Sequence, residues 1–184
     1  MATLRDLQAV FSTEERLRIL SSLLEGGKIN IPAIARETRT SKGLVSRYGT
    51  LLASLGMLTK AHSRYSLNIS SPLTRAVKIL LNISRLAAPF PPWVGSMGLY
   101  GSLSKGADTL ESDIDLWVVP RGSATQAAVA ELEERLGKRL GKEAHILLLT
   151  RERLERLKQE DKLFYHSLAF GSFVLKGDSL ENEL

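Results

Sequence analysis

The chain has 184 residues, of which 43% are hydrophobic and 24% charged, with a net charge of +5 and no cysteine. This composition is typical of a globular protein, and the lack of cysteine excludes a disulfide scaffold, a thiolate metal site and a cysteine nucleophile. The apolar runs are far shorter than the ~18 residues of a membrane span, and the amino terminus soon becomes charged, unlike a secretory signal. We therefore expect a cytoplasmic protein that does not associate with membranes.

The net charge is unevenly distributed along the chain. Residues 1–88 contain 13 Lys and Arg against 5 Asp and Glu, a net of +8, whereas residues 89–184 contain 12 against 15, a net of −3. Three of the six prolines, Pro89, Pro91 and Pro92, lie where the charge changes sign. Because proline disfavours helix at its own position and at the residue before it, both signals predict a boundary there.

The sequence therefore predicts two modules of an α+β protein. We expect domains at residues 1–70 and 93–184, joined by a helix and a proline-rich linker at 71–92. In chain order, the predicted elements of the basic part are a helix from Thr13 to Gly26 and Gly27, a helix at 32–38, a helix from Ser41 to Gly56, strands at 57–61 and 64–68 with a tip at His62 and Ser63, and a helix at 72–86. The apolar side of this last helix is either a packing surface or the seam of a homodimer.

The third predicted helix has two contrasting sides. One side is an apolar stripe at helical spacing, formed by Leu44, Tyr48, Leu51, Leu52 and Leu55. The opposite side has no acidic residue and consists of Lys42, Gly43, Ser46, Arg47 and Thr50. Short, polar and basic side chains of this kind suit contact with a polyanion.

The stretch IPAIARETRTSKGLVSRYGTLLASLGMLTKAHSRYSLN resembles the winged helix-turn-helix domain of archaeal and bacterial transcription regulators of the MarR/ArsR type, over about residues 10–70. The resemblance implies that the third helix enters the major groove of double-stranded DNA and that the wing contacts the backbone or the minor groove. The DNA-binding residues would then be Ser41, Lys42, Ser46, Arg47 and, in the wing, Arg64. The alternative is a protein–protein or dimerisation module, because winged helices serve both purposes.

The acidic part contains the residues with the clearest chemistry. A strand predicted at 94–100 ends in the turn Gly101–Ser102, and a second, strongly apolar strand is predicted at 114–119. Glycine allows a sharp turn and the close approach of a ligand. Ser102 offers a hydroxyl and an N–H at the predicted start of a helix, which attracts phosphate groups, and Lys105, about one turn later, can reach the same phosphates. Asp113 and Asp115 project from the same side of a strand, where a divalent cation would offset their repulsion.

The pattern G-S-x₁₀-D-x-D, with GSLSKG at the turn and SDIDLWVV at the strand, strongly resembles the minimal nucleotidyltransferases of the DNA polymerase β superfamily, over about residues 93–177. The resemblance implies a small mixed-sheet domain in which Gly101 and Ser102 bind a nucleoside triphosphate, with ATP as the first candidate. Lys105 is carried over more loosely. Asp113 and Asp115 would be the catalytic residues and would bind Mg²⁺.

One position departs from this family pattern. His145 stands where a third carboxylate is expected, and imidazole is a poorer Mg²⁺ ligand than carboxylate. Glu143 shares the same side of the predicted strand and is a possible substitute, while His145 can also be an ordinary histidine at a strand edge. Three functions stay open: transfer of a nucleotide to a protein or small acceptor, a regulator that senses nucleotide without catalysis, and a scaffold.

Overall fold

A computed structural model describes residues 3–25, 28–61, 64–87 and 89–183, with four residues described by backbone only, namely Lys28, Ile29, Ala61 and Arg64. The predicted helix end at Gly26 and Gly27 and the predicted tip at His62 and Ser63 lie outside the described residues. The chain divides into two compact units, Met1–Lys78 and Ile79–Leu184. No helix in the described ranges is both long and apolar enough to cross a bilayer.

The first unit combines helices with a small antiparallel sheet. Its elements in chain order are α1 (Leu4–Phe11), α2 (Glu14–Glu25), β1 (Lys28–Ile29), α3 (Ile31–Glu37), α4 (Lys42–Ser54), β2 (Leu58–Ala61) and β3 (Arg64–Leu67). Strand β3 lies between β1 and β2 and runs antiparallel to both. Short polar side chains start three of these helices, because Thr3, Asn30 and Ser41 each accept a hydrogen bond from a backbone N–H of the first turn.

Helix α4 buries one side in the core of this unit. Val45, Tyr48 and Leu52 are at most 2% exposed, and the Tyr48 hydroxyl donates to the carbonyl oxygen of Val10 at 2.9 Å. The predicted apolar stripe is correct at Tyr48 and Leu52, but its first position is the buried Val45 rather than Leu44, which is half-buried. Adjacent helix residues differ by about 100° in direction, so Leu44 and Val45 cannot both point into the core.

Helix α5 (Pro72–Leu86) contains the boundary between the units, and the remaining elements form a mixed sheet with helices. They are β4 (Val94–Tyr100), α6 (Gly101–Ser104), β5 (Ile114–Pro120), α7 (Gln126–Leu140), β6 (Ala144–Leu148), α8 (Arg151–Glu160), α9 (Lys162–Gly171) and β7 (Phe173–Lys176). The strand order is β6-β5-β4-β7, with β5 and β6 parallel and the other pairs antiparallel. The prediction of an α+β fold with a small mixed sheet is confirmed.

Helices cover both faces of this sheet. One face packs against α5 and α7 through a core that includes Leu86 and Leu132. The other face packs against α8 and α9 through a core that includes Trp117, Leu154 and Leu168. Coverage on both faces explains why β5 has an almost continuous apolar sequence rather than a simple alternation.

The carboxy-terminal helical region is divided into two helices. The apolar pattern predicts helix from residue 151 to about 170, and this region is helical, with α8 ending at Glu160 and α9 beginning at Lys162. Asp161 lies between them with φ −129° and ψ 71°, and its side chain accepts a hydrogen bond from the backbone N–H of Phe164 at 3.0 Å. The helical prediction is correct, and the region is divided because Asp161 caps a new helix where the old one ends.

Candidate active site

The turn after β4 requires glycine for two reasons. Gly101 has a φ of +73°, in the left-handed region that favours glycine. A Cβ at this position would also overlap the Oδ2 atom of Asp115. The backbone of the turn therefore lies directly against a carboxylate of the neighbouring strand β5.

The three predicted nucleotide-binding residues lie on one short segment between β4 and β5. Gly101 and Ser102 begin α6 and are half-buried, while Lys105 follows this helix as its C-cap and is exposed. The segment joins two adjacent antiparallel strands, so it comes back beside the start of β5.

The two predicted catalytic carboxylates flank Ile114 at the start of β5. Asp113 is exposed and Asp115 is half-buried. Asp115 is the register partner of Tyr100 in β4 and of His145 in β6. Because residues two apart project from the same side of a strand, both carboxylates lie on the side that also carries His145.

Three side chains at this end of the sheet lie close enough together to ligate one metal ion. Asp113, Glu143 and His145 each offer a ligand atom, and these atoms all lie within 4.8 Å of one another. The Nε2 atom of His145 is 3.6 Å from Oδ2 of Asp113 and 3.9 Å from Oε1 of Glu143. Asp115 is outside this group of three, and its carboxylate lies against Gly101. A carboxylate oxygen of Glu143 therefore lies within 4.8 Å of one of Asp113.

The electrostatics of the site follow from burial and from the carboxylate pair. Burial, and then the negative charge of Asp113, raise the pKa of Asp115 above its ordinary value of 3.8, while His145 opposes this shift. Burial and the charge of Asp115 likewise raise the pKa of the Tyr100 hydroxyl. The positive charge of Arg153 lowers this pKa and so offsets part of the shift. The site therefore carries an excess of negative charge that a bound cation would relieve.

Polar contacts fix the loop that connects the turn to the carboxylates. The Nδ2 atom of Asn82 in α5 donates to the carbonyl oxygen of Leu103 at 3.2 Å and to Oδ1 of Asp108 at 3.1 Å. The ammonium group of Lys142 donates to the carbonyl oxygens of Thr109, Leu110 and Ser112, the last at 3.0 Å. Asp113 therefore follows directly after a loop that is held at several points.

The turn is also fastened to the end of α9. The hydroxyl oxygen of Ser104 lies 3.0 Å from the carbonyl oxygens of both Gly101 and Gly171. Next to Gly171, the Ser172 hydroxyl accepts a hydrogen bond from the indole N–H of Trp117 at 2.9 Å. The second helical layer thus supports the turn and strand β5 at the same end of the sheet.

Sequence reasoning did not single out Asn82, Tyr100 or Arg153. Tyr100 directly precedes the glycine of the turn, so its position was a usable signal. Asn82 is a polar residue at a buried position of an amphipathic helix, which is a weaker signal. The charge of Arg153 acts on Tyr100 only because α8 packs on the sheet, which the sequence pattern does not specify.

The residues predicted to bind DNA lie in α4 and β3 of the first unit. Ser41 is the N-cap of α4, where its hydroxyl accepts the backbone N–H of Leu44 at 3.1 Å. Lys42 and Arg47 are exposed and Ser46 is half-buried. Three of the five residues thus lie in the first half of α4, and Ser41 caps this helix. The fifth, Arg64, is described by its backbone in β3 only.

The second unit matches a known protein family. Residues 82–175 match the model of the nucleotidyltransferase domain family. This match spans just over half of the 184 residues and includes the glycine turn, both aspartates and His145, so the chain belongs to the nucleotidyltransferase domain family. No curated protein matches the chain.

Distant similarities to solved structures accompany this match. A toxin–antitoxin structure with AMP-PNP is 20% identical, covers 57% of this chain and 76% of its own, and superposes with a TM-score of 0.37. A structure described as tri-AMPylated Shewanella oneidensis HEPN toxin in complex with MNT antitoxin is 18% identical, with coverages of 59% and 77% and a TM-score of 0.36. The toxin–antitoxin structure MntA-HepT gives the same four values. TM-scores of this size do not establish a common arrangement across the superposed region.

Proposed function

We propose that the protein is a metal-dependent nucleotidyltransferase that takes a nucleotide from a nucleoside triphosphate, with ATP as the first candidate, and transfers it to a protein or small acceptor. The observation that carries the proposal is the juxtaposition of Gly101 with Asp115. It brings a backbone turn without a side chain against the strand that carries the paired carboxylates, within a chain of the nucleotidyltransferase family.

The proposed reaction divides the roles among these residues. Gly101 and Ser102 accommodate the triphosphate at the turn, because the missing Cβ lets this backbone lie directly against Asp115 and so beside the carboxylate pair. Asp113, Glu143 and His145 fit a divalent metal, since a carboxylate-rich set of donors attracts a cation. Asp115, whose charge interacts with those of Asp113 and His145, adds a further carboxylate next to them. When bound, the metal supplies a Lewis acid at the phosphates. Lys105 is exposed close to the turn and adds a positive charge for the same phosphates.

The transfer step is an in-line substitution at phosphorus. A hydroxyl oxygen of the acceptor forms a bond to the α-phosphorus, and the bond from that phosphorus to the oxygen bridging the β-phosphate breaks. Pyrophosphate leaves with the electron pair, and the hydroxyl proton is released to water. The side chains named above position the triphosphate and balance its negative charge.

Label transfer tests this proposal. The protein is incubated with ATP labelled at the α-phosphate, a divalent metal and candidate acceptors, and a parallel reaction uses ATP labelled at the γ-phosphate. The proposal expects the α-label on the acceptor and the γ-label in pyrophosphate. It also expects loss of transfer in the double variant Asp113→Asn with Asp115→Asn. The control Asp178→Asn keeps transfer, because this exposed residue contacts Ser96 at the opposite end of β4.

A second candidate function is a regulator that senses nucleotide without transferring it. The specific observation in its favour is His145, whose imidazole occupies the place of a third carboxylate beside Asp113. The same labelling experiment separates the two functions. A sensor binds the labelled nucleotide at equilibrium, and the label returns as intact ATP when the protein is denatured.

We further propose that the first unit is a winged helix-turn-helix that binds double-stranded DNA. The support is a cluster of exposed polar and basic side chains at the start of α4, where Lys42 and Arg47 lie near the N-cap Ser41. A Cβ on Gly43 would lie 3.5 Å from Nη1 of Arg47, so the guanidinium group lies over the first turn of the helix. No acidic residue in α4 opposes a phosphate backbone there.

A further inference from the structure

The donor atoms of the proposed metal site include a nitrogen. The Nε2 atom of His145, rather than its Nδ1 atom, faces both the carboxylate of Asp113 at 3.6 Å and that of Glu143 at 3.9 Å. Two ligands about 2.1 Å from one ion at a tetrahedral angle lie about 3.4 Å apart. The two separations from His145 are close to this value, and the ligand atoms of Asp113 and Glu143 lie within 4.8 Å of each other, so the three residues are near enough to share one ion.

The strands hold these three side chains in fixed relation. Ile114, directly after Asp113, donates its backbone N–H to the carbonyl oxygen of Glu143 at 2.8 Å. Strand β6 is fixed in turn to α7, because the N–H of Ile146 donates to Oε1 of Glu133 at 2.7 Å. The backbone positions of the ligands are therefore set by the sheet, which favours a specific donor set over a diffuse acidic surface.

The chemistry of this donor set fits magnesium poorly. Mg²⁺ takes oxygen ligands and gives up its bound water reluctantly, whereas first-row transition ions accept imidazole nitrogen, Mn²⁺ least readily among them and Fe²⁺, Ni²⁺ and Zn²⁺ more readily. A neutral imidazole in place of a carboxylate also removes one negative charge from the site, which weakens the attraction for a hard cation further. A site that contains His145 therefore does not fit the Mg²⁺ that the sequence resemblance implies.

We infer that Asp113, Glu143 and His145 form a site for a first-row divalent transition ion, which binds through the imidazole nitrogen and is preferred over Mg²⁺. The inference rests on the proposed function in that this ion would serve the same nucleotide site. Binding of the ion itself, however, requires no nucleotide, so the two proposals can be tested apart.

Electron paramagnetic resonance of Mn²⁺ tests the inference on the full chain without nucleotide. The six-line signal of free Mn²⁺ reports how much ion is bound, and added Mg²⁺ measures the competition between the two. Pulsed measurements on the bound ion show modulation from a coordinated nitrogen. We expect this modulation in the wild-type protein and its loss in His145→Asp.

The same variant is expected to change the selectivity. His145→Asp restores a carboxylate, so the ratio of Mn²⁺ affinity to Mg²⁺ affinity falls by about tenfold or more. His166→Asn is the matched control, since His166 stacks on Phe170 in α9 and contributes no ligand to the group. It keeps both the modulation and the ratio.

Three results overturn the inference: the wild-type site binds neither Mn²⁺ nor, by calorimetric titration, Zn²⁺; bound Mn²⁺ shows no nitrogen modulation; or the affinity ratio is unchanged in His145→Asp. None of these is the result that overturns the proposed transfer activity, which is the absence of labelled acceptor. Transfer with Mg²⁺ and no nitrogen ligand refutes the inference alone. Nitrogen-ligated Mn²⁺ without transfer supports the inference and refutes the transferase.

Discussion

The carboxylate of Asp115 lies in the space that a β-carbon on Gly101 would need. The two residues are far apart in the pattern G-S-x₁₀-D-x-D, and the antiparallel pairing of β4 with β5 brings them together. The glycine is thus required by its φ angle and by its neighbour, and the two requirements can be separated by experiment.

The variant Gly101→Ala is expected to lower the free energy of unfolding by more than the cost of a left-handed alanine, which is about 1–2 kcal/mol. Gly141→Ala is the matched control, because Gly141 has a similar φ of +64° and nothing within 4 Å of its β-carbon position. Urea unfolding measures both. Adding Asp115→Ala to Gly101→Ala should recover part of the loss, and equal effects of the two glycine variants would contradict the overlap.

The pH dependence of stability should carry the signature of Asp115. Burial, together with Asp113, raises the pKa of this carboxyl in the folded state above 3.8, so the folded protein binds its proton more tightly than the unfolded chain. Its stabilising contribution is therefore present at low pH and is lost as the pH rises from 3.8 through the raised folded value. In chelator, urea unfolding between about pH 4 and pH 7 should show this fall in wild type and a weaker fall in Asp115→Asn. Asp178→Asn should keep the wild-type slope.

The buried amide of Asn82 should be important for both stability and nucleotide affinity. The substitution Asn82→Asp replaces a donor by an acceptor that faces the carbonyl of Leu103 and the carboxylate of Asp108. We expect a loss of about 1–3 kcal/mol in the free energy of unfolding and weaker nucleotide binding, since the turn loses its anchor. Calorimetric titration with ATP measures the nucleotide affinity, and urea unfolding measures the free energy of unfolding. The exposed Asn182 provides the control Asn182→Asp, and unchanged nucleotide affinity in Asn82→Asp would exclude a role in holding the turn.

If the first unit binds double-stranded DNA, removing one phosphate-contacting charge should change the salt dependence. Arg47→Ala is expected to weaken binding and to reduce the slope of log affinity against log salt by about 1. The control Arg5→Ala removes the same charge from an exposed position in α1 and keeps the slope. Fluorescence anisotropy with a labelled duplex at several salt concentrations measures both, and salt-independent binding by the wild-type protein would refute the DNA proposal.

Local pattern predicted much of the second unit, and tertiary contacts account for what it missed. The strand bounds at 94–100 were correct because an apolar run ends at a glycine turn. The break at Asp161 was not predicted, because aspartate is compatible with both a helix interior and a helix cap. The proximity of Glu143 to Asp113 depends on the parallel pairing of β5 with β6, which a sequence pattern does not specify.

The hydroxyl of Ser104 joins the turn to Gly171, the last residue of α9 and far later in the sequence. During synthesis, the turn, both aspartates and His145 therefore leave the ribosome well before the backbone that fastens them. The unit can reach its finished form only after Gly171 and Ser172 have emerged. A nascent chain stalled before that point would have the complete set of reactive side chains without the contact that closes the turn.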